Sequence, residues 1–241
     1  EVFLPGKARA SLLVLIAHGA SLDPDDVTDA LYQRMLNDLR AIWRKQFNGT
    51  AEVNVPDPLL HRLIAASRVH CLLAARTDAE GRVAAWIGSI HYGPLESEAQ
   101  SVIRGMQYLG HLGFAKSAHE FFLARYSPEG FLTTGYTIMG TGWHLWCLGE
   151  YAALTRDDAW LRAHAGQVER ACRWIMSERR KSPSKTQEPA SGLMPPGALA
   201  DWEAFAYYFY ANANYCAGLR EAAKALRAID TEGAAAIERE A

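Results

Sequence analysis

The strongest constraint in this sequence is an alternation between two kinds of predicted helix. Three segments are apolar or small on nearly all sides: residues 94–112, 141–154 and 201–226. Three others carry one apolar stripe and one charged face: residues 57–76, 114–126 and 158–180. A helix that is apolar all round is buried on more than one side, whereas an amphipathic helix covers a core with one face. The alternation therefore predicts an all-α fold in which an outer ring of amphipathic helices surrounds an inner ring of buried ones.

The connections between these helices differ in length. Those that lead into the apolar helices are long, residues 81–93, 127–140 and 181–200, whereas those that leave them are short. In an arrangement of inner and outer helices, all the long loops then lie at one end, over the N-termini of the inner helices. Since functional groups are often carried on loops that a rigid scaffold positions, we expect these loops to converge on a single cavity.

The remaining segments predict a few further elements. Residues 8–18 contain a continuous apolar run that is typical of a buried β-strand. Residues 25–47 predict an amphipathic helix, because their apolar side chains recur with a 3.6-residue period, and residues 231–241 begin one more helix. Residues 82–90 predict a short strand, and Gly113 is predicted to separate two of the main helices.

Charge and hydropathy exclude two classes of partner. The chain of 241 residues has 25 Lys and Arg against 27 Asp and Glu, a net charge of −2. It therefore lacks the broad positive field on which sequence-independent nucleic-acid binding depends, and we expect no nucleic-acid partner. The longest apolar run, residues 11–17, is shorter than the roughly 20 residues that cross a bilayer, so we expect no membrane span.

The sequence also lacks the common motifs for metals, nucleotides and acyl transfer. Its four cysteines are far apart and form no CxxC pair: Cys71, Cys147, Cys172 and Cys216. This pattern favours buried free thiols and a reducing, cytoplasmic location over disulfides or zinc. His119-Glu120 is not followed by the second histidine of HExxH, and neither GxGxxG, GxxxxGK[ST] nor GxSxG occurs. We therefore predict no metal site and no cofactor.

Seven short stretches carry a resemblance to a known superfamily. They are VPDPLL at 55–60, YGPLESE at 92–98, GFLTT at 130–134, GTGWHLW at 140–146, TRDDAWL at 155–161, GLMPPG at 192–197 and DWE at 201–203. In their order and spacing they resemble the six-hairpin (α/α)6 toroid glycosidase-like superfamily, which includes glucoamylase-like and related glycoside hydrolases. The resemblance covers about residues 50–241.

The resemblance implies a domain organisation. A full toroid has six helical hairpins, and the sequence after residue 50 predicts six complete helices and the start of a seventh, about half a ring. In such enzymes a β-sandwich and a linker helix often precede the toroid. Residues 1–50 then correspond to the end of a β domain with its linker helix, and residues 51–241 to a partial toroid. Its exposed inner helices would be covered by the remainder of the polypeptide or by a second copy in a homo-oligomer.

Glycoside hydrolysis needs one carboxylic acid to protonate the leaving oxygen and a second carboxylate as base or nucleophile. In Asp201-Trp202-Glu203, an indole beside a carboxyl group desolvates it and raises its pKa toward the range of a proton donor. The resemblance implies that Glu203 is the general acid. The alternative is helix capping, with Asp201 as N-cap and Glu203 in the first turn.

Two further carboxylates lie at the start of another inner helix, although the resemblance implies that the missing half supplies the second catalytic carboxylate, since such folds often place the base on a late hairpin. Glu96 and Glu98 are two residues apart, so at most one faces the cavity, and Glu96 is our candidate as carboxylate partner or ligand of sugar hydroxyls. The alternative for both is stabilisation of the first helical turn. Side chains on or beside the long loops would bind the saccharide, and these are Tyr92, Tyr136, Trp143, His144, Asp201 and Trp202. Aromatic residues are, however, also ordinary core residues.

Two functions remain open at this point. The first is a glycoside hydrolase-like domain that acts on a carbohydrate substrate with paired carboxylates. The second is a non-catalytic helical scaffold that binds a saccharide or a protein partner. The exchange Glu203→Gln separates the two, because only the first predicts a loss of glycoside hydrolysis.

Overall fold

A computed structural model describes residues 23–88, 92–132, 139–182, 192–199 and 202–241 of the chain. The chain divides into two compact units, residues 1–50 and residues 51–241. No helix within the described ranges combines the length and the apolar character that a membrane crossing requires.

The first unit contains a short 3-10 helix, Pro24–Asp26, and helix α1, Asp29–Phe47. Thr28 caps α1, because its side-chain oxygen accepts a hydrogen bond from a backbone N–H of the first turn. The helix predicted over residues 25–47 is therefore confirmed, and the strand predicted over residues 8–18 lies outside the described residues. The apolar stripe of α1 is exposed at Tyr32, Met35, Leu39 and Ile42.

The second unit is mostly helical. Its helices are α2 Pro58–Ala74, α3 Glu96–Tyr108, α4 Leu112–Leu123, α5 Gly140–Thr155, α6 Asp158–Arg179, α7 Phe209–Leu226 and α8 Thr231–Glu240. Two small antiparallel hairpins complete it: β1 Arg76–Thr77 with β2 Val83–Ala84, and β3 Gly197–Leu199 with β4 Trp202–Ala206. The prediction of an all-α class is confirmed at this level.

The start of α7 differs from the prediction. The sequence predicts a helix from residue 201, but residues 202–206 form β4, in which Trp202 lies opposite Leu199 of β3. Aromatic residues favour strands, and the hairpin pairs backbone groups that the first turn of a helix would leave unsatisfied. The N-cap residue of α7 is Tyr208. The interpretation of Asp201 as N-cap and Glu203 as a first-turn residue is therefore wrong.

Two other boundaries also need correction. The predicted break at Gly113 is wrong, because Gly113 lies inside α4 and the chain turns at Gly110 instead. Gly110 has φ +83, a left-handed conformation that glycine adopts without steric cost. The strand predicted over residues 82–90 is limited to β2, and residues 89–91 lie outside the described part of the chain.

Helix α2 does not bury the apolar stripe that its sequence predicts. Its one buried residue is Arg68, which donates hydrogen bonds to His111 Nε2 and to the carbonyl oxygen of Ala51. Four of its leucines are exposed: Leu59, Leu60, Leu63 and Leu73. These leucines leave an apolar row of α2 accessible.

Helices α3 and α5 lie side by side and run in the same direction. At their N-terminal ends Glu96 packs directly against Gly140, where an added Cβ would collide with the Glu96 side chain. Further along both helices, Arg104 forms a bidentate ion pair with Glu150, with N–O distances of 2.6 and 2.8 Å. Because the contacts follow the same order along both helices, α3 and α5 are parallel.

Helices α5 and α7 are also parallel, and their backbones touch at glycines. A Cβ on Gly142 would lie 2.8 Å from the Tyr215 backbone, and one on Gly149 would lie 2.6 Å from the Glu221 backbone. Only a residue without a Cβ permits such a close approach. Gly142 and Gly149 thus form a seam along which the backbones of α5 and α7 touch. Helices α3, α5 and α7 therefore lie next to one another in chain order with their N-termini at the same end.

Helices α4, α6 and α8 pack on these three parallel helices. Helix α4 contacts α3 and α5, α6 contacts α5 and α7, and α8 contacts α7 and α6. Near the start of α5 His144 meets Tyr126, which follows α4, and at the end of α5 Asp157 meets Lys116 of α4. Helix α4 therefore runs opposite to α5. The core between these helices contains Phe122, Leu145, Leu148, Ile175 and Leu219. The closed toroid ring stays a prediction.

Candidate functional site

The first turns of α3, α5 and α7 meet at one end of the second unit. Glu96 in α3 lies against Gly140 at the start of α5. Met139, just before α5, packs with Ala211 in the first turn of α7 and with Leu199 of β3. The points at which the three long connections enter their helices are thus close together, as the loop lengths predict. The β3–β4 hairpin is anchored at the same end, since Leu199 belongs to it.

Buried polar groups lie behind this end. Glu96 is 2 % exposed, and Gln100, one turn further along α3, is fully buried. The side-chain amide of Gln100 has no hydrogen-bond partner within the described part of the chain, and neither has the Oδ1 atom of Asn214 in α7. Leaving such a group unpaired costs about 1–3 kcal/mol, so amides of this kind usually hold a water or a ligand group. The sequence signal for both was a polar residue inside an apolar helix, and our sequence analysis missed it.

Aromatic side chains project from the chain where α7 begins. Phe205 in β4 is 74 % exposed and Phe209 at the start of α7 is 88 % exposed, and Tyr210 is also exposed. Tyr210 meets Trp143 of α5 edge-on, with ring centroids 6.1 Å apart. These rings are therefore accessible at the surface where α7 begins. These side chains provide flat faces of the kind that pack on the C–H face of a sugar ring.

His144, predicted as a substrate contact, lies in the interior. It is fully buried, and its Nδ1 atom is 2.8 Å from the Tyr126 hydroxyl, while its Nε2 atom is 3.2 Å from His119 Nδ1. His119 Nε2 is in turn 3.2 Å from Gln107 Oε1. The Gln107 amide is oriented by its other bond, in which Nε2 donates to the Cys147 carbonyl.

One assignment of hydrogens satisfies this whole chain of groups. Gln107 Oε1 can only accept, so His119 carries its proton on Nε2 and accepts at Nδ1 from the Nε2–H of His144. The Tyr126 hydroxyl then donates to His144 Nδ1. Both imidazoles are neutral in this arrangement. This chain of hydrogen bonds holds the first turns of α5 on α4, so its role is structural.

Burial explains why these imidazoles stay neutral. It lowers the pKa of His144 from its ordinary value of 6.5 to about 3. Burial, together with the nearby His144, lowers the pKa of His119 well below its ordinary value. Burial also raises the pKa of the Tyr126 hydroxyl, so that it keeps its proton.

The other predicted site residues fall into three groups. Glu96 and Trp143 lie at the shared end of the parallel helices, and Tyr92, which is 63 % exposed, lies four residues before α3. The backbone of Trp202 and Glu203 belongs to β4 of the anchored hairpin, but their side chains lie outside the described part of the structure. Tyr136 and Asp201 lie outside the described residues altogether.

Among the described residues, no three His, Cys, Asp or Glu side chains come close enough together to hold a metal ion. We compared the chain with protein-family models, with curated proteins and with solved structures, and none of the three comparisons found a match.

Proposed function

We propose that the second unit is part of a glycoside-hydrolysing domain and that its saccharide binds at the shared end of α3, α5 and α7. The observation that carries the proposal is the meeting of three parallel helix starts around the buried carboxyl of Glu96, beside the exposed rings of Phe209 and Tyr210. Parallel helices with antiparallel helices packed on them also suit an (α/α)6 toroid. Residues 51–241 would supply about half of it, and the remainder of the polypeptide or a second copy would supply the rest.

In this proposal each part of the site has a chemical task. Glu203 protonates the leaving oxygen as general acid, and the hairpin that carries it is anchored to the starts of α5 and α7 through Leu199. Glu96 acts as the carboxylate partner or binds sugar hydroxyls. The faces of Phe205 and Phe209 pack on the sugar ring, and burial of that apolar surface contributes to affinity.

The test is hydrolysis of a panel of neutral oligosaccharides and alkyl glycosides by the natural full-length polypeptide, because their poor leaving groups must be protonated in order to depart. Glu203→Gln removes the transferable proton but keeps the size of the side chain, so we expect turnover to fall by roughly 10²–10⁴-fold. Glu232→Gln makes the same change at an exposed position in α8 and leaves turnover unchanged. Normal turnover by Glu203→Gln, with unchanged circular dichroism, would contradict the assignment of the acid.

Glu96 has its own matched control two residues away. Glu96→Gln removes a buried carboxyl, whereas Glu98→Gln alters an exposed one on the same first turn of α3. We expect turnover to fall for Glu96→Gln and to stay at the wild-type level for Glu98→Gln. Equal effects of the two changes would show that both glutamates act only on the stability of the helix start.

A non-catalytic scaffold is the second candidate. The exposed leucines of α2 favour it, because a row of that kind suits a protein partner. The scaffold predicts that neither the wild-type polypeptide nor Glu203→Gln hydrolyses any glycoside, although both are folded. Hydrolysis by the wild type that Glu203→Gln abolishes would exclude a purely structural role.

A further inference from the structure

A cavity of about 360 Å³ lies between the β1–β2 hairpin and the C-terminal end of α4. The residues that line it include Arg76, Thr77, Asp78, Trp86, Phe121 and Arg125. Small-molecule sites have volumes of roughly 300–1,000 Å³, so this cavity suits a ligand with a single ring. Pro94 also lines it and comes two residues before Glu96, which places the cavity close to the start of α3.

Both arginines in the lining are stacked on aromatic rings. The Arg76 guanidinium carbon lies 4.6 Å from the ring centroid of Trp86, and that of Arg125 lies 3.3 Å from the ring centroid of Phe121. Stacking holds the plane of a guanidinium while its N–H donors remain directed outward from the edge. The Arg125 donors are already engaged, since Nη1 donates to the Phe121 carbonyl and both Nη atoms lie 3.5 Å from Asp78 Oδ2. The stacked Arg76 guanidinium is therefore the one in this lining that is prepared for the paired oxygens of an anion, because little side-chain entropy is lost on binding.

The charge of the lining is positive. Asp78 is its one carboxylate among the described residues, and it accepts hydrogen bonds from the side chain of Arg82 and from the N–H of Glu80 and of Arg82. Arg125 lies 3.5 Å from the same carboxylate. The Arg76 side chain makes no ion pair or hydrogen bond within the described ranges. One positive charge of the cavity is therefore left for a ligand.

We infer that this cavity binds the carboxylate of a uronic acid residue, with Arg76 as its principal partner. The choice of a sugar rests on the proposed function, whereas the choice of an anion rests on the Arg76 guanidinium, which is stacked on Trp86. Phosphate offers similar oxygens, but its second negative charge would face the carboxylate of Asp78. The Thr77 hydroxyl is suited to the hydroxyl groups of a sugar ring, whereas the Asp78 carboxylate is already occupied by Arg82 and Arg125.

The test is calorimetric titration of the full chain with D-glucuronate, D-glucose and glucose 6-phosphate, which share one ring and differ at C6. We expect glucuronate to bind at least about tenfold more tightly than glucose, and Arg76→Gln to remove that difference. Arg76→Lys, which keeps the charge but not the planar fork, restores only part of it. Arg62→Gln makes the same change at an exposed position in α2 and leaves glucuronate binding unchanged.

Each of three results would overturn the inference. The first is equal affinity for glucose and glucuronate, or no binding of glucuronate. The second is wild-type binding of glucuronate by Arg76→Gln. The third is a preference for glucose 6-phosphate, which would assign the cavity to phosphate instead.

The titration is carried out in the Glu203→Gln background as well, where no turnover is expected. Arg76-dependent binding of glucuronate together with no hydrolysis of any glycoside would support the cavity and overturn the hydrolase. Hydrolysis of neutral glycosides that depends on Glu203, together with no glucuronate binding, would support the hydrolase and overturn the uronic acid site. The two proposals can therefore fail separately.

Discussion

Acidification should destabilise the second unit through its buried histidine pair. His144 has a pKa of about 3 in the folded chain, lowered by burial from an ordinary value of 6.5. The unfolded chain takes up a proton on this imidazole below about pH 6.5, whereas the folded chain does not until about pH 3. The stability that the neutral imidazole provides is therefore complete above pH 6.5 and is lost progressively as the pH falls from there toward 3.

The size of the effect follows from the shift. Each pH unit below 6.5 costs about 1.4 kcal/mol of unfolding free energy for one such group, so His144 alone costs about 2 kcal/mol at pH 5 relative to pH 7.5. The pKa of His119 is lowered in the same direction by burial and by His144, and it adds to the loss. A loss of this size is a substantial part of the stability of a typical domain.

The assay is urea unfolding at several pH values between 7.5 and 5, for the wild type and for His144→Gln. The variant loses its bonds to Tyr126 and His119 and is less stable at pH 7.5, but its stability falls by about 2 kcal/mol less on acidification. His61→Gln, at an exposed position in α2, is the control. An unchanged pH dependence in His144→Gln would refute the reasoning. If that variant does not fold, NMR of the wild type provides the test instead. The ring resonances of His144 should not titrate between pH 8 and 5, and a titration in that range would refute the reasoning.

Two further predictions concern packing and thiol access. Gly149→Ala should destabilise the chain by about 1–3 kcal/mol in urea unfolding, because the new Cβ would lie 2.6 Å from the Glu221 backbone. Gly105→Ala in α3, where a Cβ meets nothing within 4 Å, should instead stabilise it by up to about 1 kcal/mol, and equal effects would contradict the described seam. The Cys172 thiol is fully buried, which raises its pKa to about 12, so a thiol reagent should label the half-buried Cys71 before Cys172. Equal labelling rates in the folded chain would contradict this burial.

The helical elements could be predicted because their signals are local. The 3.6-residue periodicity and the Asp157 cap lie within the segments themselves, and α5 and α6 begin and end close to their predicted positions. The start of α7 could not be found in this way. Residues 202–206 form a strand because residues 197–199 pair with them, and a pairing partner is not visible in the periodicity of one segment.

Side-chain directions were the weaker part of the site prediction. Trp143 and His144 are adjacent in sequence, but neighbours on a helix point about 100° apart. Trp143 therefore reaches Tyr210 at the shared end of the helices, while His144 points into the core toward α4. The position of Glu96 at the start of α3 was predictable, whereas its role as a site residue stays a prediction. Gln100 could have been found as well, because it lies one turn beyond Glu96 on the same face of α3.

The cavity beside β1 could not have been predicted from sequence. Arg76 and Trp86 are ten positions apart, and they meet because Arg76 pairs with Ala84 across the hairpin. The hairpin in turn packs on α4, which supplies Phe121 and Arg125. The cavity therefore needs both the pairing of β1 with β2 and the packing of that hairpin on α4. Neither contact leaves a pattern within a single segment of the sequence.

The glycine seam between α5 and α7 has a consequence for motion. Where two backbones touch without side chains between them, no rotamer change can loosen the contact, so the helices separate only as whole bodies. Their amide protons should then exchange with solvent in a single cooperative opening. The start of α7, where Tyr210 lies, and the start of α5, against which Glu96 packs, share that stiffness.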